Sequence, residues 1–455
     1  MTQPQRVKID TVTRQFIIVG LLCTWFLIPV WHRLSYASGP FTRDYLIGYL
    51  IFLPALWTII WWVLSGFQGI HRLLAKPSHI IWITLLLLLC IWVIASQRWA
   101  FVGANRPEIA AAGGVQFAMT SLLICCIIAI GIKPRHFLNV ILLTMLIHVA
   151  IGGLQVANQS SIGLSWLGEF DLDPQRQGVG VIQSGDTRWL RPYGLTAHPN
   201  IYAGFVLVGV LACLSWVMAE SRWQRWIGTL AYAFGYWGLL LTFSRSAWLG
   251  FALGAGLFLI LVRKSISSNQ NHRRYAILIV AITIGSSGLF LTIYQPLVLV
   301  RAGAGDTEST ETRSLNDRAI YNQIAVEAIR NYPLLGVGVG NFPWYSNHYL
   351  FYETDYDMRG DNVHNIYLGI FSELGIVGFL LFMGIIISGL SISLRLPTDE
   401  TIYHDRSVLI CASTALLIIG LFDHYLWTMF HFQILLLSLL ALAQQQNAAS
   451  TSAHI

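Results

Sequence analysis

About twelve blocks of mostly apolar residues run along this 455-residue chain, and each is long enough to cross a lipid bilayer. In hydrocarbon, backbone amides and carbonyls must be satisfied within their own segment, so we predict that these blocks form α-helices. Charged residues make up only 11% of the chain, roughly half their usual share in a soluble protein. The sequence therefore predicts an all-α, polytopic transmembrane bundle that forms a single integral-membrane domain over residues 1–455. The predicted spans lie near residues 16–32, 45–66, 79–97, 115–132, 137–157, 200–219, 226–243, 246–262, 275–294, 374–393, 407–422 and 424–443.

The basic residues of the short connections indicate how the chain is oriented in the membrane. Lysine and arginine are enriched in the short cytoplasmic loops of membrane proteins. Here they are concentrated in the N-terminal tail, with Arg6, Lys8 and Arg14, and in alternate short connections. We therefore place both termini in the cytoplasm, because an even number of spans returns the chain to its starting side. Two long connections, residues 157–199 and 295–363, then lie on the outer side.

The second long connection contains the pattern of an amphipathic helix. Ser314 and Asp317 form a capping signal, and Pro333 is a stop signal. Between them, apolar residues recur at helical spacing. They are Ile320, Ile324, Ala325, Ala328 and Ile329. We therefore predict a short helix on or near the outer membrane surface, with Arg318 in its first turn.

Two motifs place arginine where an apolar segment begins. In "RPYGLTAHPN", Arg191, His198 and Asn200 come just before and at the start of the sixth segment. By itself this motif favours an interfacial anchor, since arginine and tyrosine both suit the headgroup region. In "TFSRSAWLG", Arg245 occupies a tight turn between two apolar blocks. A guanidinium near hydrocarbon indicates either a functional site or a side chain that snorkels outward, and both interpretations stay open.

Two further motifs lie in and after the second long connection. In "RAIYNQIAVEAIRNYPLLGVGVGNF", Gly338 is the middle glycine of a G-x-G-x-G run that precedes Asn341. That spacing is not the dinucleotide fingerprint. It could bind an anion through backbone amides, but tight turning of the chain is the favoured interpretation. In "VHNIYLGIFSELGIVGF", His364 and Asn365 come just before the tenth segment, where an imidazole could accept a proton from a hydroxyl group.

The combination of these residues is more informative than any single motif. Arginine matches the geometry of phosphate oxygens and keeps its charge, so Arg191, Arg245 and Arg318 could stabilise a diphosphate leaving group. The acidic residues form no equally clear metal site. The "DLD" at residues 171–173 is explained by chance, and Asp355, Asp357 and Asp361 by a solvated loop. We therefore predict neither a metal nor a cofactor.

The four motifs, in this order and on the same side, resemble the O-antigen ligase and polymerase family of bacterial membrane glycosyltransferases. The resemblance implies a GT-C-like fold in the bacterial inner membrane, with a large periplasmic loop between spans nine and ten. It also implies transfer of a glycan from an undecaprenyl diphosphate carrier, without metal. The acceptor would be a lipid-borne glycan, either the lipid A core or a growing polysaccharide. We expect membrane lipid, and no nucleic acid, as a partner.

The resemblance also implies roles for single residues. Arg245 and Arg318 would hold the diphosphate, and Arg191 would assist them. His364 would act as the general base, and attack opposite the leaving diphosphate would invert the anomeric centre. We assign substrate binding to a second group of residues. They are Asn365, Asn200, His198, Gly338 and Asn341.

Other functions stay open at this point. Twelve spans with arginines near the membrane also suit a transporter of an inorganic anion such as bicarbonate, although transporters usually hold charge near the bilayer midplane. A flippase for a lipid-linked glycan ranks lower, because spans one to five contain no arginine to line a path. The motifs do not distinguish a ligase from a polymerase.

Overall fold

In the residues that the structure describes, the chain folds as a bundle of α-helices with one β-hairpin, which confirms the predicted all-α class of polytopic membrane protein. The structure is a computed structural model that describes residues 3–30, 52–65, 70–74, 77–100, 107–185, 187–303, 310–353, 360–393 and 399–444. The first helices are α1 (Gln3–Leu27), α2 (Leu53–Ser65), α3 (Ile70–Leu74), α4 (Pro77–Ala95), α5 (Pro107–Ile130) and α6 (Pro134–Asn158). A hairpin of β1 (Val181–Ser184) and β2 (Thr187–Leu190) follows, with Val181 opposite Leu190.

The second half of the described chain consists of α-helices joined by turns and loops. Its first helices are α7 (Pro199–Val217), α8 (Arg222–Leu241), α9 (Arg245–Leu261), α10 (Arg263–Ser268), α11 (Gln270–Ile293) and α12 (Gln295–Arg301). The remaining helices are α13 (Thr310–Asn331), α14 (Phe342–Glu353), α15 (Ile366–Ser393), α16 (Glu400–Ile419), α17 (Tyr425–Thr428) and α18 (Phe430–Ala443). Short 3-10 turns occupy Ser96–Arg98 and Ser165–Leu167.

Many of these helices have the length and composition of membrane spans. Within the described residues, seven are long and apolar enough to cross a bilayer: α4, α5, α6, α7, α11, α15 and α16. Shorter apolar helices occur at Val12–Leu27, Leu53–Val63, Arg245–Leu261 and Phe430–Ala443. Every block predicted from the sequence coincides with a helix over part of its length, while the number of twelve spans stays a prediction.

The centre of the bundle is α7. Nearly every residue of this helix is buried, because α6, α8, α9 and α16 all pack against it. A helix that is apolar on all sides is typical of a protein core or of a membrane span, and α7 lies in the core. The first turn of α7 therefore carries Asn200 into a fixed, buried position at one end of the bundle.

A kink in α15 positions the end of the bundle that carries His364. At Gly375 the backbone has φ 65° and ψ −171°, a region that is essentially restricted to glycine. The chain that follows α13 fits into this kink, where the Ile376 amide donates to the Pro333 carbonyl at 2.9 Å. A Cβ atom at Gly375 would lie 2.1 Å from the Leu334 oxygen. The kink therefore depends on a glycine at this position.

The amphipathic helix predicted before Pro333 is present as α13, but its start was predicted wrongly. The helix begins at Thr310, so Ser314 lies inside it and is not the capping residue. Good helix formers such as Glu311 and Arg313 precede Ser314 and extend the helix. Its apolar face packs against α14 and α15, with Ile324 buried.

Candidate functional site

A polar cluster lies where α15 begins and α16 ends. The Ile366 amide donates to the Gly420 carbonyl at 2.8 Å, which brings these two helix ends together. As a result, His364 lies beside Asp423 and His424, which connect α16 to α17. The His364 Nδ1 atom is 3.8 Å from the Asp423 Oδ1 atom, and the two imidazole rings meet edge to face with centroids 5.1 Å apart. We call His364, Asp423 and His424 the outer cluster, after the side of the membrane on which the sequence predicts them.

The position of His424 is fixed by the short helix that follows it. The Trp427 indole donates to the buried Glu373 carboxylate at 2.8 Å, which ties α17 to α15. The His424 Nδ1 atom lies 2.7 Å from the Thr428 hydroxyl, one turn further along α17. These contacts hold the α16–α17 connection against the start of α15.

Asp423 is also connected to α7 and to the hairpin. The Asn200 amide nitrogen donates to Asp423 Oδ2 at 3.0 Å. The oxygen of the same amide accepts from Arg191 Nη2 at 2.8 Å, and Arg191 Nε donates to the Thr242 carbonyl at 2.6 Å. Arg191 and Asp423 are both buried. A continuous polar line therefore runs from Arg191 through Asn200 to Asp423 and His364.

The start of α7 explains why Asn200 faces this line. Pro199 occupies the first turn of the helix, where its missing N–H costs nothing. His198 is the N-cap, and its Nδ1 atom accepts from the backbone amide of Asn200 at 3.2 Å. Burial, reinforced by the charge of Arg191, lowers the pKa of His198 to about 3. This histidine is therefore an uncharged cap at physiological pH.

One guanidinium group and two imidazoles lie near the Asp423 carboxyl group. Burial by itself would raise the pKa of Asp423, but the nearby His364, His424 and Arg318 outweigh it and lower the pKa. Burial also lowers the pKa of His424. Asp423 is therefore a carboxylate. Arg318, on α13, is close enough to influence Asp423, His424 and His198, so the fold brings it into the same region.

Arginines also meet at the turn between α8 and α9. Arg191 donates to the Thr242 carbonyl of this turn, and Arg301 Nε donates to the next carbonyl, that of Phe243, at 3.0 Å. Arg245, the first residue of α9, donates from Nη1 to the Arg301 carbonyl at 3.0 Å. Phe243 has a positive φ of 49°, so the turn is tight. The turn therefore links Arg245 to Arg191 and, through Asn200, to the outer cluster.

Three predicted substrate-binding residues have structural contacts in the folded chain. The Asn365 oxygen caps α15 by accepting from the Tyr367 and Leu368 amides at 2.9 and 3.1 Å. The Gly338 amide donates to the Glu373 carbonyl at 2.8 Å, and the buried Asn341 donates to the Val339 carbonyl at 3.1 Å. Gly338 thus contacts α15 close to its kink, Asn341 stabilises the turn before α14, and a role of either residue in binding substrate stays a prediction.

Sequence reasoning overlooked Asp423, His424 and Arg301. The signal for the first two is the "FDHY" stretch, which places an acid and a histidine between two apolar segments on the side where His364 lies. Arg301 closes α12, a short helix that packs on β1. Of the three acidic residues assigned above to a solvated loop, Asp355 and Asp357 lie outside the described residues.

The outer cluster could act in two chemical ways. His364, Asp423 and His424 offer ligand atoms that lie within 4.8 Å of one another, so the three could hold a metal ion. A carboxylate beside an imidazole also stabilises the imidazolium that forms when the ring accepts a proton. Nδ1 of His364 is buried, although the side chain as a whole is 23% exposed.

Comparison with known proteins finds a family match for one segment of the chain. Residues 229–383, about a third of the chain, match the family described as O-antigen ligase. The matched segment includes Arg245, Arg301, Arg318 and His364. No curated protein matches the chain. The chain is therefore a multi-pass membrane protein in which residues 229–383 match the O-antigen ligase family, and this match supports, in broad terms, glycan transfer with lipid-linked glycan substrates.

Proposed function

We propose that this protein transfers a glycan from an undecaprenyl diphosphate carrier to an acceptor hydroxyl on the periplasmic side of the inner membrane. The acceptor is the lipid A core or a growing polysaccharide. The reaction inverts the anomeric centre and uses no metal. The observation that carries this proposal is the polar line that runs from Arg191 to His364 at one end of the bundle. It brings Arg191, a carboxylate and a histidine together, and Arg318 lies close enough to act on the same carboxylate.

In this proposal His364 is the general base. Its Nε2 atom accepts the proton of the acceptor hydroxyl, and the acceptor oxygen forms the new bond to the anomeric carbon. The bond between that carbon and the diphosphate oxygen breaks, and the diphosphate leaves with the electron pair. Asp423, with Oδ1 3.8 Å from Nδ1 of His364, stabilises the imidazolium that the transfer creates.

The arginines have two different roles in this proposal. Arg318 is half-buried and Arg245 is exposed, so both can reach a ligand and stabilise the diphosphate as its charge develops. Arg191 is only 4% exposed, and its Nε and Nη2 atoms already donate to Thr242 and Asn200. It is a positioning residue that holds Asn200, and through it Asp423, in place.

An apolar groove beside Arg245 supports a lipid-linked donor. The groove has a volume of about 340 Å³ and is formed by α8, α9 and α11. Trp248, one turn along α9 from Arg245, lies at its edge. A polyprenyl chain in the groove would leave its diphosphate beside the arginine. The groove thus matches the mixed apolar and anionic character of the donor.

The charge around the outer cluster supports arginine side chains, and not a metal ion, as the groups that stabilise the leaving diphosphate. Arg318 acts on the same carboxylate that would have to bind a cation. A divalent ion there would be repelled by this guanidinium, and Asp423 already accepts from Asn200. Transfer that survives a chelator would agree with this argument, whereas loss of transfer on chelation and recovery with metal would refute it.

The test is an assay of the purified full-length protein with a carrier-linked oligosaccharide and alternative acceptors. We expect His364→Ala to lower transfer by about 10²–10⁴-fold, the usual contribution of a general base. Arg318→Ala should also abolish transfer. The matched controls are His348→Ala, an exposed histidine of α14, and Arg330→Ala, which lies on the same helix as Arg318 and is 73% exposed. Normal transfer by both site variants would reject the proposal.

An anion transporter is the alternative, because the arginines at the α8–α9 turn would also suit a small inorganic anion. The two functions differ in what they require. Uptake of labelled bicarbonate into proteoliposomes that contain no lipid-linked sugar would favour transport. Transfer of glycan by the protein in detergent, where no gradient exists, would favour the glycosyltransferase.

A further inference from the structure

A second cluster of metal-ligating side chains lies at the opposite end of the bundle. It contains His272 from α11 and Glu400 and His404 from α16, grouped around Ser265 of α10. We call these three ligand residues the inner cluster. The 20 residues of α16 span about 30 Å, so this cluster is remote from Asp423 and His364. Neither the family match nor the proposed reaction gives it a role.

The three side chains converge on a single point. The Ser265 hydroxyl is 2.7 Å from His272 Nδ1, 2.8 Å from Glu400 Oε1 and 3.1 Å from His404 Nε2. His272 Nδ1 and Glu400 Oε1 are 3.4 Å apart, and the three ligand atoms lie within 4.8 Å of one another. Two ligands bound tetrahedrally at 2.0–2.1 Å are separated by about 3.4 Å. One edge of the site therefore already has the dimension of a zinc centre.

The surroundings hold these ligands in place and leave one side open. His272 and His404 are buried, with rings packed edge to face at a centroid distance of 5.1 Å, while the Glu400 side chain is 50% exposed. His272 also contacts the Met218 backbone carbonyl, the kind of outer contact that orients a histidine ligand. A salt bridge of 2.8 Å from Arg135 to Asp405 fixes the adjacent turn of α16. An ion could thus enter past Glu400.

We propose that His272, Glu400 and His404 bind a divalent transition-metal ion of the zinc class, with Ser265 or water as the fourth ligand. Two imidazoles and one carboxylate are a ligand set that zinc favours. Because the ligands come from α11 and α16, the ion would join these helices where no covalent link is near. The role is structural and does not depend on the proposed glycan transfer.

Hydrogen bonding without metal is the competing explanation. The Ser265 hydroxyl can donate to Glu400 while it accepts from His404, so hydrogen bonds alone could account for most of this geometry. The two explanations differ in their response to added metal. If only hydrogen bonds hold the cluster together, added zinc does not stabilise the protein. If the three residues bind zinc, the folded protein is stabilised more as the ion binds more tightly.

The test uses the full-length protein in detergent, stripped with EDTA and titrated with Zn²⁺. We expect one ion per chain and a raised Tm. His272→Gln and His404→Gln should each weaken binding at least tenfold, since glutamine can still hydrogen-bond Ser265 but is a poor zinc ligand. The control is His136→Gln, an exposed histidine in the first turn of α6, beside Arg135. It should bind zinc as the wild type does.

Two results would overturn the proposal. One is a wild-type protein that takes up no zinc, and the other is variants that bind zinc as tightly as the wild type. If the variants fail to fold, Co²⁺ provides an independent measurement on the wild type alone. A tetrahedral nitrogen and oxygen site gives visible absorption bands with bound Co²⁺, and their absence would equally refute the site.

Discussion

Asp423→Asn isolates the electrostatic contribution of the carboxylate to proton transfer. The substitution removes a negative charge 3.8 Å from His364 but keeps an oxygen that can accept from Asn200. At an effective dielectric constant of about 20, unit charges at this separation interact by about 4 kcal/mol. In the proposed reaction the imidazolium forms only as the acceptor loses its proton, so the lost interaction would destabilise the transition state. We expect kcat to fall by up to about 10³-fold, with a smaller change in KM.

The assay is single-turnover transfer by purified protein, with Asp399→Asn as the matched control. Asp399 lies at the other end of α16, where its Oδ1 caps the helix by accepting from the Ile402 amide at 3.0 Å. Asparagine is an equally good cap, so this variant should transfer at the wild-type rate. If Asp423→Asn changed kcat less than about threefold while His364→Ala abolished transfer, the carboxylate would have no part in the chemistry.

Three further predictions concern stability and pH. Arg191→Lys should lower the free energy of unfolding by about 1.5–3 kcal/mol, because one ammonium group cannot reach both the Thr242 carbonyl and the Asn200 side chain. An unchanged Tm would contradict this prediction. Gly375→Ala should lower Tm sharply, because the strained backbone alone would cost about 1–3 kcal/mol. Gly288→Ala should leave Tm unchanged, because a Cβ atom there would have no neighbour within 4 Å. His198→Asn should leave the acid limb of the pH–rate profile unchanged. Burial lowers the pKa of His198 to about 3, so its ring stays uncharged from about pH 5 to 8. A shift of the acid limb in this variant would show that His198 titrates in that range.

The sequence predicts the helices well because the bilayer imposes a simple rule on them. A segment such as that of α7 must be both apolar and helical to exist in hydrocarbon, so hydropathy alone locates it. Glycine is similarly informative. Gly336, Gly338 and Gly340 all have positive φ values, as the tight-turn interpretation of their spacing requires. These features are local, and a single sequence contains them.

The contacts of the site are not local, which is why the sequence revealed only some of them. Asp423 lies 59 positions after His364, and nothing in the sequence shows that the start of α15 meets the end of α16. Asn365 is adjacent to His364 in the chain, yet its side chain caps a helix. The motif residues could be chosen from their chemistry, but their partners needed the fold.

The inner cluster illustrates the same limit. His272, Glu400 and His404 belong to no motif, and more than a hundred residues separate the first from the other two. The prediction that the chain holds no metal was based on acidic runs in the outer loops. It did not consider ligands from different helices that converge on Ser265.

The most direct test of the central claim is chemical rescue of His364→Gly. The measurement is the rate of glycan transfer by this variant as the concentration of added imidazole increases. If His364 is the general base, transfer without imidazole is lost, and imidazole restores part of it at a rate that depends on the basicity of the added azole. Transfer at the wild-type rate with no imidazole present would contradict the account.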